Sequence, residues 1–164
     1  MADGFDPIAE AARHWDDHGW GDATDGMVAV TSIMRAQQIL QGRVDRALRP
    51  FALTFARYEL LMLLSFSRTG KLPMSTIGSR LQVHPTSVTN AVDRLEEARL
   101  VERVPHPDDR RVTLIAITAA GRRLAKRATT DLNTEVFEDV GLTATENRVL
   151  AEVLTVLRRD AGDL

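Results

Sequence analysis

Between Ser75 and Thr118 the hydrophobic period of the chain runs helical, breaks, runs helical again and then turns strand-like, an order that few folds accommodate. Ser75 can cap a helix through Leu81. That helix breaks at Gln82-Val83-His84-Pro85, where Pro85 suits the first position of the next helix. The second helix is expected to reach about Ala98. Along it Val88, Ala91, Val92 and Leu95 recur at steps of three and four residues and make one apolar face, leaving Thr86, Ser87, Thr89, Asn90, Asp93 and Arg94 pointing outward. Leu100 to Val104 and Val112 to Thr118 are rich in β-branched residues. They flank Pro105-His106-Pro107-Asp108-Asp109-Arg110-Arg111, a turn-forming segment with a basic end.

Helix, turn, helix and basic-tipped hairpin describe a winged helix-turn-helix, in a chain that is otherwise mainly α. The outward face of the second helix is short and polar. Its hydroxyls and amide can donate to or accept from base edges in a major groove, and Arg94 can grip guanine or phosphate. A wing tip of this kind can place Arg110 or Arg111 in a minor groove, where a narrow A·T-rich segment concentrates negative potential. Asp108 and Asp109 are better suited to orienting an arginine or tying the turn than to meeting DNA. Ser75, at the start of the first helix, joins the residues expected at the DNA.

The run from Val83 to Arg103, then Pro107-Asp-Asp-Arg-Arg, then Ile117-Thr-Ala-Ala-Gly121, resembles the signature of the MarR family of bacterial transcription regulators. The resemblance extends over about Thr24 to Arg159, with three separated motifs in the right order and spacing. By position it implies that Thr86, Ser87, Thr89, Asn90 and Arg94 face the major groove and that Arg111 stands at the wing tip. His84 departs from the pattern, since the family often has a small helix-capping residue there. The resemblance also implies a two-fold dimer built from interlocked N- and C-terminal helices. Such a dimer sets two recognition helices about one DNA turn apart, roughly 34 Å, and calls for an inverted-repeat target.

The formal net charge of -2 at first argues against a DNA partner. Divided along the chain, it does not. Arg68 to Arg127 hold 12 Lys+Arg against 6 Asp+Glu, whereas the remaining residues hold 9 against 17. The positive charge therefore sits in the proposed reader, flanked by acidic helices, and binding should depend strongly on salt. The 164 residues, 44% hydrophobic, suffice for one domain with a core. The absence of cysteine removes disulfides, zinc-thiolate sites and thiol switches. No apolar run reaches the roughly 18 residues of a membrane span, and the acidic start Met1-Ala-Asp-Gly-Phe-Asp lacks a basic signal-peptide region, so the cytoplasm is the expected compartment.

Three segments follow: an N-terminal extension (1–23), a helical dimerisation region (24–67 and 119–161) and the winged reader (68–118). In the extension, Ile8, Ala11, Ala12 and Trp15 share a helical face that Gly19 and Gly21 interrupt. A long helix from Asp25 to Arg49 has Thr24 as its possible cap and Pro50 as its stop, and a second, Phe55 to Ser67, is apolar around most of its circumference. After the wing, a helix from Thr118 to near Gly141 leads to Thr143-Ala-Thr-Glu146, a capping box for a last helix. Its stripe of Val149, Leu150, Val153, Leu154 and Leu157 should seek a partner.

Members of the family commonly bind phenolic, other aromatic or acyl-thioester effectors between the dimerisation helices and the winged region. Carried over, that implies Trp15, Trp20, Arg35, Tyr58 and Met62 as effector-binding candidates, with core packing the competing role for Met62. The expected function is a sequence-specific, ligand-responsive homodimeric repressor that needs no cofactor. Two alternatives stay open. His14 and His18, four residues apart, could serve a metal-responsive regulator, although the pair is more often a surface coincidence and no metal site is assigned. The polar helix face could instead serve a winged-helix protein-interaction module. An enzyme is not expected, because the chain has no Gly-rich phosphate loop, nucleophile elbow or histidine-carboxylate motif.

Overall fold

Asp6 opens the first helix by accepting the Ile8 N–H on its carboxylate at 2.9 Å, and α1 (Pro7–Asp17) follows with proline in its first turn. The structure, a computed structural model, describes residues 4–82, 84–109 and 111–164. They form two compact units, Met1–Arg43 and Val44–Leu164. In the first unit α1 ends at a turn where Gly19 has φ +80°. Then α2 (Gly21–Leu48) begins, four residues before the sequence places it. Thr24 is therefore inside α2 and does not cap it; its hydroxyl donates to Asp16 Oδ1 at 2.6 Å.

The second unit holds the core. Val44, Ala47 and Leu48 at the end of α2 are buried, and a 3-10 turn (Arg49–Phe51) carrying Pro50 separates α2 from α3 (Phe55–Phe66). Thr54 caps α3, its hydroxyl accepting from the Arg57 N–H at 3.4 Å. Leu60, Leu61 and Leu64 are fully enclosed, as expected of a central helix. Phe66, read as part of that apolar surface, is instead exposed, because α3 ends there.

A strand absent from the sequence reading follows. β1 (Lys71–Pro73) pairs antiparallel with β3 (Thr113–Ile117), and β2 (Val101–Pro105) pairs with the other side of β3, giving the order β1-β3-β2. Between β1 and β2 lie α4 (Met74–Leu81) and α5 (Pro85–Glu97). Ser75 does not cap α4. Pro73 holds the capping position without a side-chain bond, and Ser75 lies exposed in the first turn. Gln82, with φ +53°, ends α4 and starts the turn toward α5.

Thr118 closes the sheet and begins α6 (Ala119–Leu132): its N–H donates to the Leu100 carbonyl at 3.0 Å, and its hydroxyl oxygen accepts from Gly121 N–H at 3.0 Å. Gly121 is required here by proximity, since a Cβ on it would collide with the Leu100 carbonyl oxygen and press on Ile117. A π turn (Asn133–Phe137) extends α6, and α7 (Ala144–Asp160) starts at the expected capping box, with Thr143 and Glu146 bonded reciprocally. Tyr58, Ile77, Val92, Leu95, Ile115, Ala128 and Leu132 join the α3 leucines in one buried cluster.

Candidate nucleic-acid interface

The candidate surface is built on α5. Val88, Val92 and Leu95 are buried to within 2% of complete, which fixes the rotation of the helix. Thr86, Ser87, Thr89, Asn90 and Arg94 are consequently exposed together on the opposite face. Arg94 pairs with Glu97 one turn on at 3.0 Å, both side chains well solvated, so the guanidinium is lightly held. His84, the departure from the family pattern, does cap the helix: its Nδ1 accepts the Thr86 N–H at 3.3 Å.

The hairpin of β2 and β3 projects beside α5. At its tip the Val112 N–H donates to the Asp109 carbonyl at 3.0 Å, and Asp108 N–H donates to His106 Nδ1 at 3.2 Å. Asp109 ties the turn as its chemistry suggests, accepting from the Arg111 backbone N–H at 3.0 Å and from Arg111 Nε at 3.3 Å. Those two bonds hold its carboxyl below the ordinary range. The Arg111 side chain itself remains 91% exposed. Arg110 lies outside the described residues. Ser75 lines a groove of about 430 Å³ with Arg103, Arg111 and Thr113, and a second with Val88 and Thr89, so it stands between the wing and α5.

Arg103 was missed in the sequence. It lies on β2, yet its guanidinium reaches two carboxylates of α5, Asp93 at 2.6 Å and Glu96 still closer. The hydrogen bond that its guanidinium donates to Asp93, more than the opposing cost of burial, raises its pKa above the ordinary arginine value. Asp93, read as an outward residue of the helix face, is thus engaged by the wing.

The effector candidates fall in both units. In Met1–Arg43, Trp15 and Trp20 make an edge-to-face pair with ring centroids 5.3 Å apart, the His18 ring lies 5.5 Å from Trp20, and Arg35 bonds Gln38 at 3.3 Å. In Val44–Leu164, the structure brings Tyr58 and Met62 to one hydroxyl. Thr129 donates to the Ala125 carbonyl at 2.8 Å, accepts from the buried Tyr58 hydroxyl at 3.1 Å and lies 3.3 Å from Met62 sulfur. Beside it is a cavity of about 370 Å³ between α3 and α6, lined by Met62, Ser65, Arg122, Lys126, Thr129 and Asn133 among others. Ser65 Oγ is buried there without a hydrogen-bond partner, although the neighbouring Arg122 donates to the Ser65 carbonyl at 3.4 Å. His14 and His18 are linked through His18 Nδ1–H and the His14 carbonyl at 2.7 Å, and no group of three or more His, Cys, Asp or Glu among the described residues could hold a metal ion. No helix among those residues is long and apolar enough to cross a membrane.

The model of the MarR family matches residues 53–113. Among solved structures, the chain is 51% identical to Sco5413, a MarR family transcriptional regulator from Streptomyces coelicolor, covering 85% of this chain and 97% of that one with a TM-score of 0.77. Sco3205 from the same organism, solved in complex with DNA, shares the fold at 24% identity and a TM-score of 0.72, covering 81% of this chain and 85% of that one. YhbI of Bacillus subtilis, an uncharacterised HTH-type transcriptional regulator, is 35% identical over 52% of this chain and 54% of its own length, so the chain spans about half the length of that relative. Half of the aligned residues agree with Sco5413 along nearly the whole of that protein, and the family model covers α3, β1, α4, α5, β2 and the wing tip: the chain belongs to the MarR family of transcriptional regulators.

Proposed function

We propose that this protein is a cytoplasmic, sequence-specific DNA-binding transcription regulator, a homodimeric repressor that recognises an inverted repeat in double-stranded DNA. The observation that carries the reading is the exposed polar face of α5 flanked by a wing whose Arg111 is held only at its base. Thr86, Ser87, Thr89, Asn90 and Arg94 are the right size and chemistry for base edges; Ser75, Arg110 and Arg111 suit the backbone and minor groove. Sco3205, of the same fold, was captured on DNA. Residues 68–118 form the reader in this account, and 24–67 with 119–161 the dimerisation helices. Support for the dimer comes from α7, whose Val149, Leu150, Val153, Val156 and Leu157 are all exposed large hydrophobics. Three of the four histidines are engaged structurally, His18 on the His14 carbonyl, His84 as a cap and His106 in the wing turn, which favours a binding protein over an enzyme.

Selection from a random duplex pool at two salt concentrations tests the reading. Enrichment of an inverted repeat, with affinity falling steeply as salt rises, is the expected result. Binding without any enriched motif contradicts sequence-specific regulation, and no binding to any duplex favours the protein-interaction alternative.

An effector fits the same account. The cavity beside Thr129 offers an apolar floor at Met62 and the cations Arg122 and Lys126, with Ser65 in its wall, a set suited to a small aromatic acid. Such a ligand acts only if it binds the DNA-competent and DNA-incompetent forms unequally. A panel of aromatic carboxylates should therefore contain members that weaken operator binding by the wild type and not by Ser65→Leu; a panel without effect on either protein removes the effector from the account.

A further inference from the structure

Two carboxylates on a helix that enters a DNA groove are a liability, because B-DNA carries one phosphate charge per roughly 1.7 Å of axis. α5 carries Asp93 and Glu96 within one turn of Arg94, and Arg103 of β2 answers both. The Arg103 guanidinium divides its fork between them, with Nη2 on Asp93 and Nη1 on Glu96. Its backbone N–H donates to the remaining oxygen of Glu96 at 3.1 Å. β2 is an edge strand, so that outward N–H has no strand to pair with, and Glu96 supplies the missing acceptor. The Arg103 side chain is only 32% exposed, against 91% for Arg111 at the tip of the same hairpin.

We infer that Arg103 is a positioning residue for DNA recognition, which neutralises Asp93 and Glu96 and so lets α5 approach the phosphates, without contacting DNA itself. The inference rests on the DNA-binding reading above. A planar fork is needed to bridge two carboxylates on different turns, which a lysine point charge does not reproduce. Were Arg103 lost, both carboxylates would face the phosphates unpaired.

The test compares wild type, Arg103→Gln, and the triple variant Arg103→Gln with Asp93→Asn and Glu96→Gln, on a duplex enriched by the wild-type protein over a salt series. Arg103→Gln is expected to weaken binding by roughly tenfold or more, with the slope of log affinity on log salt unchanged. The triple variant should recover most of the loss, a rescue that a purely structural role for Arg103 would not give. Should Arg103→Gln alone not fold, the triple variant, which leaves no charge unpaired, carries the test: binding within a few-fold of wild type at an unchanged slope supports the clamp. A slope reduced by about one in either variant would mean a direct phosphate contact and overturn it. Lack of rescue overturns it as well. Failure of the wild type to bind any duplex would instead remove the DNA-binding reading and the clamp with it.

Discussion

Replacing Val153 and Leu157 with glutamate should take the protein apart without unfolding it. Both lie on the exposed stripe of α7, where Val149, Leu150, Val153, Val156 and Leu157 retain between 41% and 63% of their accessible surface. Fully burying a valine or leucine is worth about 1.5–3 kcal/mol, so covering the remaining half of each yields about 1 kcal/mol. Five residues on each of two chains give about 10 kcal/mol gross, from which the loss of translational and rotational freedom must be subtracted. The double substitution deletes four of these ten contributions, about 4 kcal/mol, and the dissociation constant should rise by roughly a thousandfold. The introduced charges add repulsion across the proposed two-fold axis. Sedimentation velocity over a concentration series reads the constant directly, and circular dichroism checks that the helices remain. A double variant that stays dimeric at the same concentrations as the wild type would refute the assignment of this stripe, and a monomeric wild type at tens of micromolar would refute the dimer.

Three further outcomes are expected. Gly121→Ala forces a methyl against the Leu100 carbonyl where α6 meets the wing strand, and should cost about 1–3 kcal/mol, visible as a fall of several degrees in the thermal midpoint; an unchanged midpoint would show that the junction relaxes freely. Burial raises the Glu59 carboxyl pKa, so the folded state holds that proton more tightly than the unfolded chain does. This group therefore favours folding at acid pH and the benefit is lost as pH rises through its folded pKa; Glu59→Gln should raise the midpoint at neutral pH and reduce its pH dependence as pH rises above the ordinary carboxyl range, as followed by melting at each pH. Arg111→Ala should weaken binding to all duplexes and lower the salt slope by about one if the residue meets phosphate, or cost about 1–3 kcal/mol selectively if it reads the minor groove, and equilibrium titrations on matched and mixed duplexes separate the two.

The two helices and the hairpin were legible in the sequence because local rules agreed there. A three- and four-residue period placed Val88, Val92 and Leu95 inside and the polar set outside, and Thr118 and the Thr143–Glu146 box marked helix starts that need only neighbouring residues to form. What was missed depends on partners distant in the chain. β1 is three residues ending in proline, with no alternation to announce it, and exists only because β3 offers an open edge to Lys71–Pro73. Ser75 obeyed a capping preference that Pro73 overrode, since the strand delivers the chain into α4 at Met74. Asp93 carried the pattern of an outward helix residue, and nothing along the sequence says that an arginine ten residues later turns back to meet it. The candidate cavity was found through Met62 alone; Ser65, Arg122 and Lys126 become neighbours only when α3 packs on α6.

The central claim is that the outward face of α5 reads bases, and the Asn90→Ala variant tests it most directly. Repeating the duplex selection with this variant should leave an inverted repeat of the same spacing in which preference is relaxed at one position of each half-site, because an asparagine amide matches the donor and acceptor of adenine and alanine does not. An unchanged preference at every position would place base recognition elsewhere and contradict the account.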